Sequence, residues 1–258
     1  MRIKPLVLVG GTKSKKIIKR LNALGWGRIW NEGRTYHSPK EPWALDNGAY
    51  AAYLNGTEFD QVQFLHRLRD AAQRAPHRPE FVVLPDIVAG GLASLELSEK
   101  WLGILHTDTM QERHGFTPID YHTIRGWPKY LAVQDGLLET HITDRIIREI
   151  AGIFVGGSNG FKSTAQLWTS FAHKNDLKCH YGRAGTLKKL DHAIESGVDS
   201  LDSAFPLWTA ERLDRFVARW VYGNPQLRLW ERLSPDRNTQ ILSQRPPASD
   251  PSPEETPE

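Results

Sequence analysis

The stretch GIFVGGSNGFKSTAQLWTSFAHKNDLKCHY, residues 152–181, reads as a strand, a helix and a second strand. Ile153–Val155 is an apolar run that stops at Gly156-Gly157, and Lys178–Tyr181 is a second β-rich run. Thr164–Lys174 between them has the pattern of an amphipathic helix. A strand with no polar face is covered on both sides, as in a parallel sheet flanked by helices.

The same alternation extends in both directions. Further strands are expected at Pro5–Val9, Arg28–Trp30, Trp43–Asp46, Phe81–Pro85, Tyr130–Gln134 and Ser200–Asp202. Leu-Val-Leu-Val in the first of these and Phe-Val-Val-Leu in the fourth are again apolar on both faces. Amphipathic helices are expected at Phe59–Ala75, Ser94–His106, Ile142–Ile150, Leu187–Ser196 and Ala210–Val221, with Thr186 and Thr209 as caps. Eight strands, all but one followed by a helix in roughly 220 residues, is the arithmetic of an α/β (β/α)8 TIM barrel. A doubly wound open sheet is the alternative architecture. A single-domain barrel is expected over residues 1–232, followed by a Pro/Glu-rich disordered tail at 233–258.

Composition narrows the function. With 258 residues, 40% of them hydrophobic, the chain can bury one large core or two small ones. It has no run long enough for a membrane span and no signal-like start, so no membrane partner and a cytoplasmic location are expected. A single Cys, Cys179, excludes a disulfide framework and a multi-Cys zinc site. The net charge of +3 is uneven. Pro246 to Glu258 holds five Pro and four acids and no base, which leaves 33 basic against 26 acidic residues in the body. That balance tolerates a polyanion without forming a dense basic arm.

In a parallel barrel, chemistry sits at the C-terminal strand ends. Those positions hold Gly10-Gly11, Asp46-Asn47-Gly48, Asp86, Gln134-Asp135-Gly136, Gly156-Gly157-Ser158, Gly182-Arg183 and Asp202-Ser203. Three carboxylates, Asp46, Asp86 and Asp202, follow apolar strands, where a charge is poorly solvated unless it has work or a partner. No nucleophile elbow, P-loop or metal-spaced His/Cys cluster is present. Two or three carboxylates suit acid–base or nucleophilic work at an anomeric carbon. An amide such as Gln134 beside a carboxylate suits the edge of a guanine-like base. The residues alone therefore point to a barrel enzyme acting on a glycosidic bond with a purine-like leaving group.

Several motifs carry a resemblance. Asp46-Asn47-Gly48-Ala49-Tyr50 resembles the Asp-Ser-Gly-Gly-Phe segment of the tRNA-guanine transglycosylases, and Val133-Gln134-Asp135-Gly136 their Val-Gln-Gly-Gly. Val155-Gly156-Gly157 is similar to their Ile-Gly-Gly, and Gly182-Arg183-Ala184-Gly185 sits where they have Gly-Val-Gly. Val198-Asp199-Ser200-Leu201-Asp202 resembles the segment with their nucleophilic Asp, and the order agrees over roughly residues 40 to 205. Those enzymes carry a zinc site of three Cys and one His after that strand. With one Cys this chain has none, so no cofactor and no zinc subdomain is expected. An aromatic-rich segment, Phe205–Trp230, is expected to pack in its place.

The compact, zinc-free pattern is most similar to the small phage-type DNA 7-deazaguanine transglycosylases. The resemblance implies exchange of guanine in DNA for a 7-deazaguanine base such as preQ0, which protects the DNA from restriction. It implies DNA and that base as partners, leaves room for a homodimer or a helper protein, and places a phage-encoded chain in the host cytoplasm. By motif, Asp202 attacks C1′ and Asp46 is the general acid/base. Asp86 reads the N1/N2 edge, while Gln134 with the Gly156 and Gly157 backbone holds O6 and the 7-substituent side. Asn47 stands where the family has Ser. Tyr50, Phe161 and Phe205 are candidates to sandwich the base, and Arg183, Lys13, Lys15, Lys16 and Lys162 to meet phosphate. Other readings are a tRNA substrate, an inactive base-binding subunit and a hydrolytic glycosidase.

Overall fold

The structure is a computed structural model that describes residues 4–30, 41–75, 77–106 and 116–223. Eight parallel strands close a barrel in sequence order: β1 (Leu6–Val9), β2 (Gly27–Trp30), β3 (Trp43–Leu45), β4 (Phe81–Val83), β5 (Lys129–Val133), β6 (Gly152–Val155), β7 (Lys178–Tyr181) and β8 (Ser200–Asp202). β8 pairs back onto β1, Leu8 opposite Asp202, which removes every sheet edge and excludes the open doubly wound sheet.

Around it lie α1 (Lys15–Ala23), α2 (Ala49–Leu54), α3 (Gln61–Arg74), α4 (Gly91–His106), α5 (Pro118–Arg125), α6 (Asp144–Glu149), α7 (Asn159–Lys162), α8 (Ala165–Lys174), α9 (Leu187–Glu195), α10 (Phe205–Trp208) and α11 (Ala210–Tyr222). Both expected caps are present. Thr186 accepts from the Lys189 N–H and Thr209 from the Arg212 N–H, each worth about 1 kcal/mol.

Strand alternation sorts the side chains into two cores. Leu8, Ala44, Phe81, Val83, Tyr130 and Ala132 fill the barrel, with Ile29 and Phe154 against them. Val7, Leu45, Val82, Leu131, Ile153, Cys179 and Leu201 face outward into the helical layer. The interior is tight. Tyr130 stacks on Phe81 at 4.2 Å, and a Cβ on Gly152 would meet the Tyr130 ring at 2.5 Å. Glycine at 152 therefore makes room for that ring.

α11 seals the end of the chain against its beginning. Trp26 meets Phe216 and Trp220 edge-on at 5.6 and 5.4 Å, and Trp220 Nε1 donates to the Pro5 carbonyl. Phe205–Tyr222 thus packs on the barrel as an aromatic segment should. The rest of that segment and the tail lie outside the described residues.

Candidate functional site

The C-terminal strand ends surround a cavity of about 410 Å³, a size that holds small molecules. Eight of the nine residues singled out by sequence line it: Asp46, Tyr50, Asp86, Gln134, Gly156, Gly157, Arg183 and Asp202. Asn47 is not on the wall.

Asp202 ends β8 and is held from two directions. Its Oδ1 accepts the Arg183 N–H at 2.8 Å and a bond from His180 Nε2 at 3.1 Å. Arg183 presents its N–H from a left-handed backbone, φ +57°, on the turn after β7. His180 is fully buried between the Phe154 ring, stacked at 4.8 Å, and Phe81. Burial holds its pKa below the ordinary histidine value, so the imidazole is neutral. The network then fixes the tautomer. Nε2–H donates to Asp202 and Nδ1 accepts from the Ser200 hydroxyl at 2.8 Å. Both bonds fall on Oδ1, which leaves Oδ2 to a ligand.

The other two carboxyls are poised differently. Asp46, just past β3, is raised from 3.8 to about 6, first by burial and then by the charge of Asp202. Such a group gives and takes a proton near neutrality. Asp86 is only 6% exposed, and burial raises it to about 7 against the Asn47 hydrogen bond and the charge of Arg183.

Asn47 explains how Asp86 is held. Its Nδ2 donates to the Leu84 carbonyl and to Asp86 Oδ1, while its Oδ1 accepts the Ala49 N–H that opens α2. The side chain is a clamp between the ends of β3 and β4, with its polar atoms already engaged. Gln134 is similarly anchored. Its Oε1 accepts the Ala89 N–H at 2.9 Å, which leaves its NH₂ as the group to offer a ligand.

On the loop after β6, the Gly156 N–H is bound to the Val133 carbonyl and the Gly157 carbonyl accepts Arg183 Nη2 at 2.9 Å. Gly157 has φ +72°, and a Cβ there would meet Asp135 Oδ2 at 2.6 Å. The Gly156 carbonyl and the Gly157 N–H are the groups left to face a base. Arg183 also lies 3.5 Å over the Tyr50 ring, so its guanidinium is a strut between α2 and the β6 loop.

Some expected contacts fall elsewhere. Phe161 and Phe205 pack on Trp168 and Phe216 and are not among the cavity residues. Lys162 is buried at 2% exposure instead of meeting solvent and phosphate. Its Nζ donates to the Gly182 carbonyl, under the turn that presents Arg183, and burial lowers its pKa to about 7. Lys13, Lys15 and Lys16 are exposed beside the mouth.

Sequence reading missed His180. Period-two alternation places it on the inner face, but only the register, His180 opposite Phe154 and Ser200, sets it under Asp202. Among the described residues no group of three His, Cys, Asp or Glu is placed to hold a metal ion, and no helix is long and apolar enough to cross a membrane. No family model and no curated protein matches the chain.

Proposed function

We propose that the chain is a DNA guanine transglycosylase, a pentosyltransferase that exchanges guanine for a 7-deazaguanine base through a covalent Asp202–deoxyribose intermediate. The observation that carries this reading is three carboxyls on one cavity in three electrostatic situations. Asp202 is fixed by two N–H donors, Asp46 is poised at about 6, and Asp86 is buried at about 7. Paired groups whose surroundings set them apart are the signature of divided acid, base and nucleophile roles.

In the first half-reaction, Asp202 Oδ2 attacks C1′ as the bond from C1′ to the base nitrogen breaks. Asp46, in its protonated form, delivers its proton to the departing base. In the second, the incoming base loses a proton to Asp46, its nitrogen bonds to C1′, and the ester to Asp202 breaks. Asp86 accepts the two N–H donors of the N1/N2 edge, which repays the burial of its charge. The Gln134 NH₂ and the Gly157 N–H suit the carbonyl oxygen of the base. The target nucleotide must leave its stack to reach the cavity, at a cost of a few kcal/mol. The phage-type resemblance of the motifs extends this reading to protection of DNA from restriction.

The test is base exchange with labelled guanine in duplex DNA, single-stranded DNA or tRNA, with preQ0 or guanine added and Asp202→Ala alongside. Exchange on DNA that disappears in the variant supports the proposal. Exchange on tRNA alone keeps the chemistry and overturns the substrate. Release of free base without an acceptor points to a hydrolase, and no exchange on any polymer points to a binding role.

A further inference from the structure

The chain runs from Asp202 through the cavity residues Ser203 and Ala204 directly into α10, which ends in Trp208. Trp208 is 58% exposed, although it is among the largest apolar side chains of the protein. It is not loose. The Arg212 guanidinium sits 4.4 Å over its ring and 5.3 Å over Phe205, and Phe205 and Trp208 are 5.9 Å apart. An aromatic face held by a cation and left open beside a reaction cavity is a stacking surface.

Its neighbours on the rim are cationic. α11 packs against α9, which opens with exposed Lys188, and is tied to α1 by the Arg20–Asp214 ion pair. α1 brings exposed Lys15, with Lys13 just before it. The acid on this arc, Glu211, is offset by Arg215 one turn away. The arc over β3 to β5 is different, with exposed Leu54, Ile87, Leu92 and Leu138.

We propose that the arc over β7, β8 and β1 is the track of a single-stranded polynucleotide. A base beside the reacting nucleotide stacks on Trp208, and Lys13, Lys15 and Lys188 meet phosphates. This rests on the proposed function for its choice of a nucleic-acid partner. It goes further in naming an unpaired strand and the residue that reads it, since a base within a duplex has no free face for Trp208.

The test is fluorescence anisotropy with a fluorescein-labelled oligothymidylate, which holds no guanine for the cavity, and with a matched duplex. The chain should bind the single strand more tightly than the duplex. Trp208→Ala should weaken single-strand binding on the order of tenfold with unchanged melting temperature, and Trp208→Phe should restore most of it. Lys15→Gln with Lys188→Gln should lower the slope of log K against log salt by about one. Equal binding by Trp208→Ala and the parent overturns the proposal, as does a preference for duplex. So does a dimer in the parent that Trp208→Ala dissolves, since Trp208 then faces a second copy. Base exchange reads the carboxylates and oligothymidylate binding reads the rim, so either reading can fail alone.

Discussion

Replacing Asp86 with Asn should make the protein more stable and less able to recognise its base, and the gain should depend on pH. In the unfolded chain this carboxyl titrates near 3.8, and in the folded chain near 7. Between those values the folded state binds a proton that the unfolded state has released. Stability from this group therefore falls as pH rises from about 4 to about 7 and stays low above that. At 1.36 kcal/mol per pH unit, ionising Asp86 at pH 8 costs at most about 4 kcal/mol, and less than half of that at pH 5. Asn carries no charge, and its carbonyl still offers the Asn47 amide an acceptor. For a domain of this size the Asp86→Asn gain is then at most roughly 8 to 16 °C in Tm at pH 8, shrinking toward pH 5. Thermal melts of both proteins at the two pH values measure it. A Tm difference independent of pH, or a loss at pH 8, would refute the reasoning.

The other predictions concern single contacts. His180→Asn removes the Nε2–H donor to Asp202, and kcat for exchange should fall about 10- to 100-fold with the KM of the incoming base unchanged, read by steady-state kinetics. An equal rise in KM would argue against a positioning role. Gly157→Ala forces a side chain onto a backbone at φ +72° and into Asp135, so urea unfolding should show a loss of about 1–3 kcal/mol. Burial pushes the Cys179 thiol up to about 12, so a disulfide reagent at pH 8 should label it only after unfolding.

The fold was legible because the strands are apolar on both faces and short helices separate them. Lys178–Tyr181 and Ser200–Asp202 form as read from the sequence, and the other strand ends move by one or two residues. The Phe81 strand stops at Val83 because the chain then turns to deliver Asp86. α5 escaped notice although Thr117 caps it and Pro118 opens it, because its eight residues offer only Tyr121 and Ile124 to the core. The residues that line the cavity were legible because a barrel gathers its strand ends at one mouth. What each side chain does there depends on long-range register. Asn47 reads as a ligand in sequence and folds as a clamp on Asp86, thirty-nine positions away. Lys162 reads as surface charge, but the loop after β6 folds it under Gly182.

The most direct test of the central claim is the mass of the protein after denaturing quench with guanine-containing DNA and no acceptor base. The account requires a protein–DNA adduct that maps to the Asp202 peptide, is absent in Asp202→Asn, and disappears when preQ0 or guanine is added. Release of guanine with no adduct, or an adduct that survives Asp202→Asn, would contradict it.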